Sequence, residues 1–486
     1  MHLVHSDTVL EHLASDQNQR AEVVDWSAIR SQFVGLDAKV PLHNGGEHSY
    51  VNLDNAATTP PFQQVLDTIC EFSRWYSSVH RGTGYKSQLS THFYEQCRNI
   101  VAAFVGASTA ERAVIFCANT TQAINILARR IRLQPGQRIL ATVMEHHSNM
   151  LPWRLLMHQV DYVKVTNAEG ALDLDDFEKQ LREAHGAIPL VAITGASNVT
   201  GCMPPLARIA AIAHQYGAQF LVDGAQLVPH RKIEMGKPGE SESIDFLVFS
   251  GHKMYAPFGT GVLIGPHKFF QQGPPAMPGG GTVRLVTMED IIWADSPELE
   301  EAGSPNVIGA VALAKSCQIL DSIGMDRIAE HERELTWRLL EGLLEIEGLH
   351  LYGQLVRKEG CDRVGVVPMS VDGLEHGLLA ACLSYEYGVG VRHGCFCAHP
   401  YVMHLNDVTL AGAQEYTQRA RSGDFSRMPG FVRASLGIYN TCDEIDYLIE
   451  ALRAIVKNGP GATYILKDGE YSPASSQARY PDKFSF

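Results

Sequence analysis

Six short apolar runs, at 113–116, 138–142, 162–165, 190–194, 219–222 and 246–249, alternate with helix-like stretches, and this alternation limits the available folds more than any other feature. Strands joined by helical crossovers lie parallel, so the pattern predicts an α/β fold with a mainly parallel sheet. After the first run a helix is expected from Thr120-Thr121, with Ile124, Leu127 and Ile131 on one face; this is core spacing, which turns the polar start outward.

A chain of 486 residues, 45% apolar and 19% charged, can bury more than one core. The expected divisions are an N-terminal arm over 1–45, with an amphipathic stretch at 23–33, and a large domain over 46–305. A glycine- and proline-punctuated loop at 273–281 and the segment Glu301-Ala302-Gly303-Ser304-Pro305-Asn306 lead into a smaller α+β domain over 306–458. That domain carries an insert at about 401–429, and a Ser-, Pro-, Gly- and Tyr-rich tail covers 459–486.

Several function classes are excluded. No apolar run reaches membrane-spanning length, and the first residues lack the pattern of a secretory signal, so a cytoplasmic location without membrane association is expected. Ten cysteines without a regular framework fit reduced thiols. A net charge of −14 with no basic cluster argues against nucleic acid as a partner.

Two strand ends carry chemistry. Lys253 follows the run 246–249 within Ser250-Gly251-His252-Lys253, and Asp223 ends the run 219–222. An amine that can form a Schiff base, beside an acid that can hold a pyridine nitrogen protonated, suits a cofactor of the pyridoxal phosphate kind. Asn119-Thr120-Thr121-Gln122 at a strand-to-helix turn offers hydroxyls and backbone N–H groups to a phosphate, with Ser250 and His252 as further donors. His146, after another strand, is placed to stack on a ring and move protons. Each residue also has a plain structural role open to it: a solvated lysine, capping by Asp223 and Thr120, a packed histidine.

Ordered along the chain stand Asp54-Asn55-Ala56-Ala57-Thr58-Thr59, Val79-His80-Arg81-Gly82, Thr120-Thr121, Glu145-His146-His147, Ser197-Asn198, Asp223-Gly224-Ala225-Gln226, Ser250-Gly251-His252-Lys253, Gly279-Gly280-Gly281 and Arg433-Ala434-Ser435-Leu436. Together they resemble the class V aminotransferase-fold enzymes, and within them the cysteine desulfurase and selenocysteine lyase branch. The resemblance spans about 50–452. It implies fold type I of the pyridoxal phosphate enzymes, with a seven-stranded, mainly parallel sheet, and a homodimer. By the same resemblance Lys253 would bind the cofactor covalently, Asp223 would pair with its ring nitrogen, Gln226 would touch its ring oxygen, and His146 would stack on it. Thr120, Thr121, Ser250 and His252 would hold the phosphate, and Ser304 would reach the partner's phosphate. His80, Asn198, Arg392 and Arg433 would bind substrate, Asn198 and Arg433 clamping its α-carboxylate, a task suited to the planar guanidinium fork.

The segment Val391-Arg392-His393-Gly394-Cys395-Phe396-Cys397-Ala398-His399 selects the reaction. It resembles the reactive-cysteine segment of desulfurases, with Cys397 at the reactive position. The implied activity takes sulfur from L-cysteine, leaving alanine and a persulfide on Cys397 for an acceptor. Gly394-Cys395-Phe396-Cys397 also resembles the N-terminal domain of molybdenum cofactor sulfurases, and for Cys395 two roles stay open, persulfide chemistry or packing. The insert is open between lidding the pocket, shaping it for a larger substrate and receiving an acceptor. His393, Cys395, Cys397 and His399 alternate, but metal ligands come from wider spacings, and no metal is expected. The competing reading keeps Lys253 and the cofactor but has an aminotransferase, an epimerase or another carbon–sulfur or carbon–selenium lyase acting on a different amino acid.

Overall fold

The computed structural model describes residues 24–80, 82–156, 159–166, 169–357, 362–425, 428–467 and 469–474. Its main sheet has seven strands: β1 (Arg112–Cys117), β2 (Ile139–Thr142), β3 (Val160–Val163), β4 (Leu190–Thr194), β5 (Gln219–Asp223), β6 (Phe246–Ser250) and β7 (Gly261–Pro266). They lie in the order β1-β7-β6-β5-β4-β2-β3. Strands β6, β5, β4, β2 and β3 run parallel, while β7 is antiparallel to both β1 and β6.

All six apolar runs are strands of this sheet, the third beginning two residues earlier than its pattern suggested. Strand β7 carried no clear signal, because Val262-Leu263-Ile264 is a short apolar run bracketed by glycines. Pairing on both of its edges fixes it instead. Gly261 is required there: a Cβ would come 2.5 Å from the Asn119 Cα, so only glycine lets β7 pass this close to the turn after β1.

Period-two alternation loads both faces of the sheet. Val191, Ile193, Leu247 and Phe249 join one buried cluster, and Leu190, Ala192, Phe246 and Val248 the other. The helix Thr120–Arg130 seals the second cluster with Ile124 and Leu127, and the Asn119 side chain caps it by accepting the Gln122 N–H at 3.0 Å. Ile131 falls just past its last turn.

A second core forms on an antiparallel sheet of β8 (Leu349–Leu351), β9 (Val366–Val371), β10 (Arg392–Gly394) and β11 (Phe431–Ser435), ordered β8-β9-β11-β10. Helices His376–Tyr387 and Cys442–Asn458 cover it, the latter started by a capping box of Thr441 and Glu444. Val51–Asn52 pairs in parallel with Val389–Gly390, so the chain ahead of the large sheet is stitched to this second core. Helix Val307–Ile323 packs with the large sheet. Helix Met325–Leu344 starts there through Met325 and Ile328 and ends in the second core through Leu339 and Leu343. The change of core therefore falls inside this helix.

Among the flanking segments, residues 1–23 of the expected arm lie outside the described residues, and 24–33 hold the helix Trp26–Arg30, capped by Asp25 and anchored by Ile29 and Phe33. The 401–429 stretch contains most of helix His399–Leu405 and all of Leu410–Arg421, and the latter buries no residue. Beyond residue 459 a hairpin, Tyr464–Lys467 with Glu470–Pro473, is tied to helix His376–Tyr387. The Tyr464 hydroxyl donates to Glu386 at 2.9 Å and that of Tyr471 to Glu375 at 2.6 Å. No single described helix is long and apolar enough to cross a membrane.

Candidate active site

The carboxyl ends of parallel strands present side chains and loops to one crevice, the usual binding place of such sheets. Here a pocket of about 540 Å³ is lined by Thr120 and Thr121 after β1, His146 and Ser148 after β2, Thr194 and Asn198 from β4 onward, Asp223 and Gln226 at β5, and Ser250, His252 and Lys253 at β6. The second core contributes Arg392, His393, Phe396, Cys397 and Arg433. Twelve of the fourteen residues singled out from the sequence thus share one pocket: Thr120, Thr121, His146, Asn198, Asp223, Gln226, Ser250, His252, Lys253, Arg392, Cys397 and Arg433. His80 and Ser304 do not. Both line a separate cleft of about 1000 Å³, together with Gly280 and Gly281.

Lys253 ends a short helical turn that follows β6, and burial together with the Arg433 charge lowers its amine to about 8 against the pull of Asp223. Asp223 is 4% exposed; burial raises its carboxyl, which accepts one backbone N–H, from Ala225 at 3.1 Å. Gln226 donates its amide to the Ala56 carbonyl at 2.7 Å, and its buried side-chain oxygen has no hydrogen-bond partner among the described residues. Thr120 donates its backbone N–H to the Ser250 hydroxyl at 2.8 Å, and the two hydroxyls lie 2.6 Å apart.

His146 is pushed down to about 3, by burial first and then by Lys253. It is therefore neutral at pH 7, and its Nδ1 accepts the Ser148 N–H at 3.1 Å, which leaves the proton on Nε2. Ser148 in turn lies 2.7 Å from the Thr121 hydroxyl. The turn carrying both is held from beneath by Glu145, which accepts from Thr142 and Asn149 at 2.6 Å each and is pushed up to about 8 by burial.

On the opposite wall Arg433 is 2% exposed, donates to the Asn198 carbonyl at 2.9 Å and to Asp54 at 3.1 Å, and lies 4.7 Å over the Phe396 ring. Its Nε has no hydrogen-bond partner among the described residues. Asp54 also binds Arg392 at 3.0 Å, so one carboxylate aligns both guanidinium groups. Asn198 spends its amide N–H on the Phe396 carbonyl at 2.7 Å. Phe396 and Cys397 are consecutive left-handed residues with φ of 51° and 55°, a conformation that costs a non-glycine residue roughly 1–3 kcal/mol. Cys397 is exposed to the pocket, whereas Cys395 is buried, hydrogen-bonded to the Pro429 carbonyl at 2.6 Å and pushed up to about 12 by burial. The alternating His393, Cys395, Cys397 and His399 do not converge: His393 faces His376 at 3.2 Å and His399 faces His147 at 3.1 Å.

Sequence reasoning gave no role to Ser148, Asp54 or Phe396. Ser148 had a signal, since a serine two residues after a histidine readily closes a local turn. Asp54 stood only at the head of a motif of the resemblance, with nothing to give it a role, because its partners lie 338 and 379 residues away.

Residues 51–448 match the family described as aminotransferase class-V. A cysteine desulfurase of Haloferax volcanii is 34% identical over 451 residues, covering 90% of this chain and 98% of that one. One of Serratia proteamaculans is 34% identical, with 88% and 98% covered. The apo structure of a cysteine desulfurase from Thermococcus onnurineus superposes with a TM-score of 0.73 at 33% identity, over 84% of this chain and 95% of that one. The chain therefore belongs to the class-V aminotransferase family and, within it, to the cysteine desulfurases.

Proposed function

We propose that this pocket binds pyridoxal 5′-phosphate and removes sulfur from L-cysteine, giving L-alanine and a persulfide on Cys397 that passes to an acceptor. The observation that carries the reading is the joint opening of Lys253, Asp223 and Cys397 into one cavity. The residues fit the cofactor: Asp223 is a buried acid with a single N–H donor, and the unpartnered Gln226 amide oxygen marks a polar site awaiting a ligand. Thr120, Thr121, Ser250, His252 and the positive end of helix Thr120–Arg130 suit a phosphate.

When bound, the cofactor supplies an electron sink for the pair released at the substrate Cα. Arg433, with its free Nε, and Arg392 bind the substrate carboxylate and orient the Cα–H bond. Lys253 takes that proton, as its lowered amine allows near neutral pH. Cys397 Sγ attacks the substrate sulfur; the new S–S bond forms as Cβ–S breaks and the bonding pair stays on Cβ, and protonation of Cβ together with return of a proton to Cα completes alanine. The cysteine thiol has become a persulfide, and the balance requires no external oxidant.

His80 and Ser304, in their separate cleft, serve the site of a second copy, which makes the enzyme a homodimer with shared sites. The nine described cysteines are all free, in keeping with a reducing, cytoplasmic setting. Incubation of the holoenzyme with L-cysteine and a reductant tests the reading: alanine and sulfide should form in equal amounts and be lost in both Lys253→Ala and Cys397→Ala. Turnover unchanged in Cys397→Ala would remove that thiol from the reaction.

A further inference from the structure

The strained turn at Phe396 and Cys397 needs contacts that hold it in place, and on its amino side these are plain: Asn198 binds the Phe396 carbonyl and Arg433 covers the Phe396 ring. On its carboxyl side the contacts converge on one residue outside the predicted site. The His147 backbone N–H donates to the Cys397 carbonyl at 2.7 Å. The His147 Nε2 accepts the His399 backbone N–H at 3.3 Å, and the two imidazole rings stack at 4.9 Å and 5°. His147 follows His146 directly, so the segment that presents the cofactor-facing ring also holds the thiol-bearing turn.

We propose that His147 is a positioning residue for the sulfur-transfer step, fixing the turn that aims Cys397 at the substrate sulfur. The inference rests on the reading of Cys397 as the sulfur-accepting thiol. An unprotonated Nε2 is needed, which puts the ring proton on Nδ1 and makes the His399 Nδ1–H, 3.1 Å away, a second donor to the same atom. Burial and the neighbouring His399 both favour this neutral state. A residue that acts only on the thiol's placement should leave Lys253 chemistry alone, because misplacement of a reacting atom by about 1 Å is enough to slow one step by roughly a hundredfold.

The test compares His147→Phe, which keeps an aromatic ring against His399 but cannot accept, with His147→Gln, whose amide oxygen can reach the Nε2 position. Three properties of each holoenzyme are read: alanine formation from L-cysteine, exchange of the L-alanine Cα proton with deuterated water, and the iodoacetamide alkylation rate of Cys397. In His147→Phe, desulfuration should fall roughly tenfold to a hundredfold, alkylation should accelerate, and exchange, which needs Lys253 but no thiol, should hold; His147→Gln should recover most of the loss. Equal loss of exchange and desulfuration, or no loss of either, would overturn the assignment. Cys397→Ala measured alongside separates this from failure of the underlying reading: if that variant still desulfurates, the thiol's role is wrong whatever His147 does.

Discussion

Lys253 and Asp223 are both buried against their charge preference, and each yields a measurable consequence. The Lys253 amine, lowered to about 8, lies below the usual lysine range, so between these limits the unfolded chain binds the extra proton and apoprotein stability rises with pH. Only the free amine can capture an aldehyde, and the rate of cofactor capture by apoprotein should climb with pH to a half-maximum near 8; a rate flat from pH 6 to 10 in stopped-flow absorbance would contradict this. Asp223→Asn removes a carboxylate that burial disfavours more than Lys253 and the Ala225 N–H favour it, so the apoprotein should melt no lower than the parent. Desulfuration should nonetheless fall roughly 10²-fold or more, since an amide cannot keep a pyridine nitrogen protonated. Lys253, Asp223, Ser250, His252, His146, Thr120 and Thr121 were legible in the sequence because they close or follow a strand, whereas Gln226, Asn198, Arg392, Cys397 and Arg433 were reached only through the family resemblance. Asp54 was not legible, since its task exists only once two distant arginines have been brought together. The burial of Cys395 against the Pro429 carbonyl was likewise illegible, since no local pattern links the two.

Glu301 shows how an element is fixed from a distance. The loop bearing Ser304 is anchored by this carboxylate, which accepts from Arg98 at 2.6 Å, the Tyr94 hydroxyl at 2.8 Å and the Phe116 N–H at 2.7 Å. Arg98 and Glu301 side chains are each 4% exposed, and Glu301→Ala leaves Arg98 only the more exposed Glu95 at 3.1 Å as ion partner, so the change should cost about 3 kcal/mol in urea denaturation. Helix Leu410–Arg421 is the opposite case. It buries nothing, and replacing it with a glycine-serine linker should change stability by less than about 1 kcal/mol and leave reductant-assayed desulfuration intact. Parallel strands buried on both faces announced themselves as apolar runs, whereas the apolar run within β7 is only Val262–Ile264, bracketed by glycines, and the strand is defined by its neighbours. The sequence set no helix within the insert, because helix Leu410–Arg421 has no buried residue to impose a periodic pattern.

At the scale of the molecule, two cores meet over a single pocket, the large sheet supplying Lys253 and Asp223 and the small one Arg433 and Cys397. His80 and Ser304 remain outside it, so two protomers should be needed for a complete site. His80→Ala and Lys253→Ala homodimers should each be impaired, while co-refolded mixtures should regain up to about a quarter of the parent rate, because one site of each hybrid is intact. A mixture no better than its components would place His80 in its own protomer's chemistry. The joining of the cores was invisible in the sequence, since it depends on a helix, Met325–Leu344, that belongs to both. The central claim, that the Cys397 thiol receives the substrate sulfur, is tested most directly by mass spectrometry of holoenzyme given L-cysteine without reductant. The Cys397 peptide should gain the mass of one sulfur atom, matched by one alanine released and lost on later addition of a thiol; alanine released while that peptide stays unmodified would contradict the account.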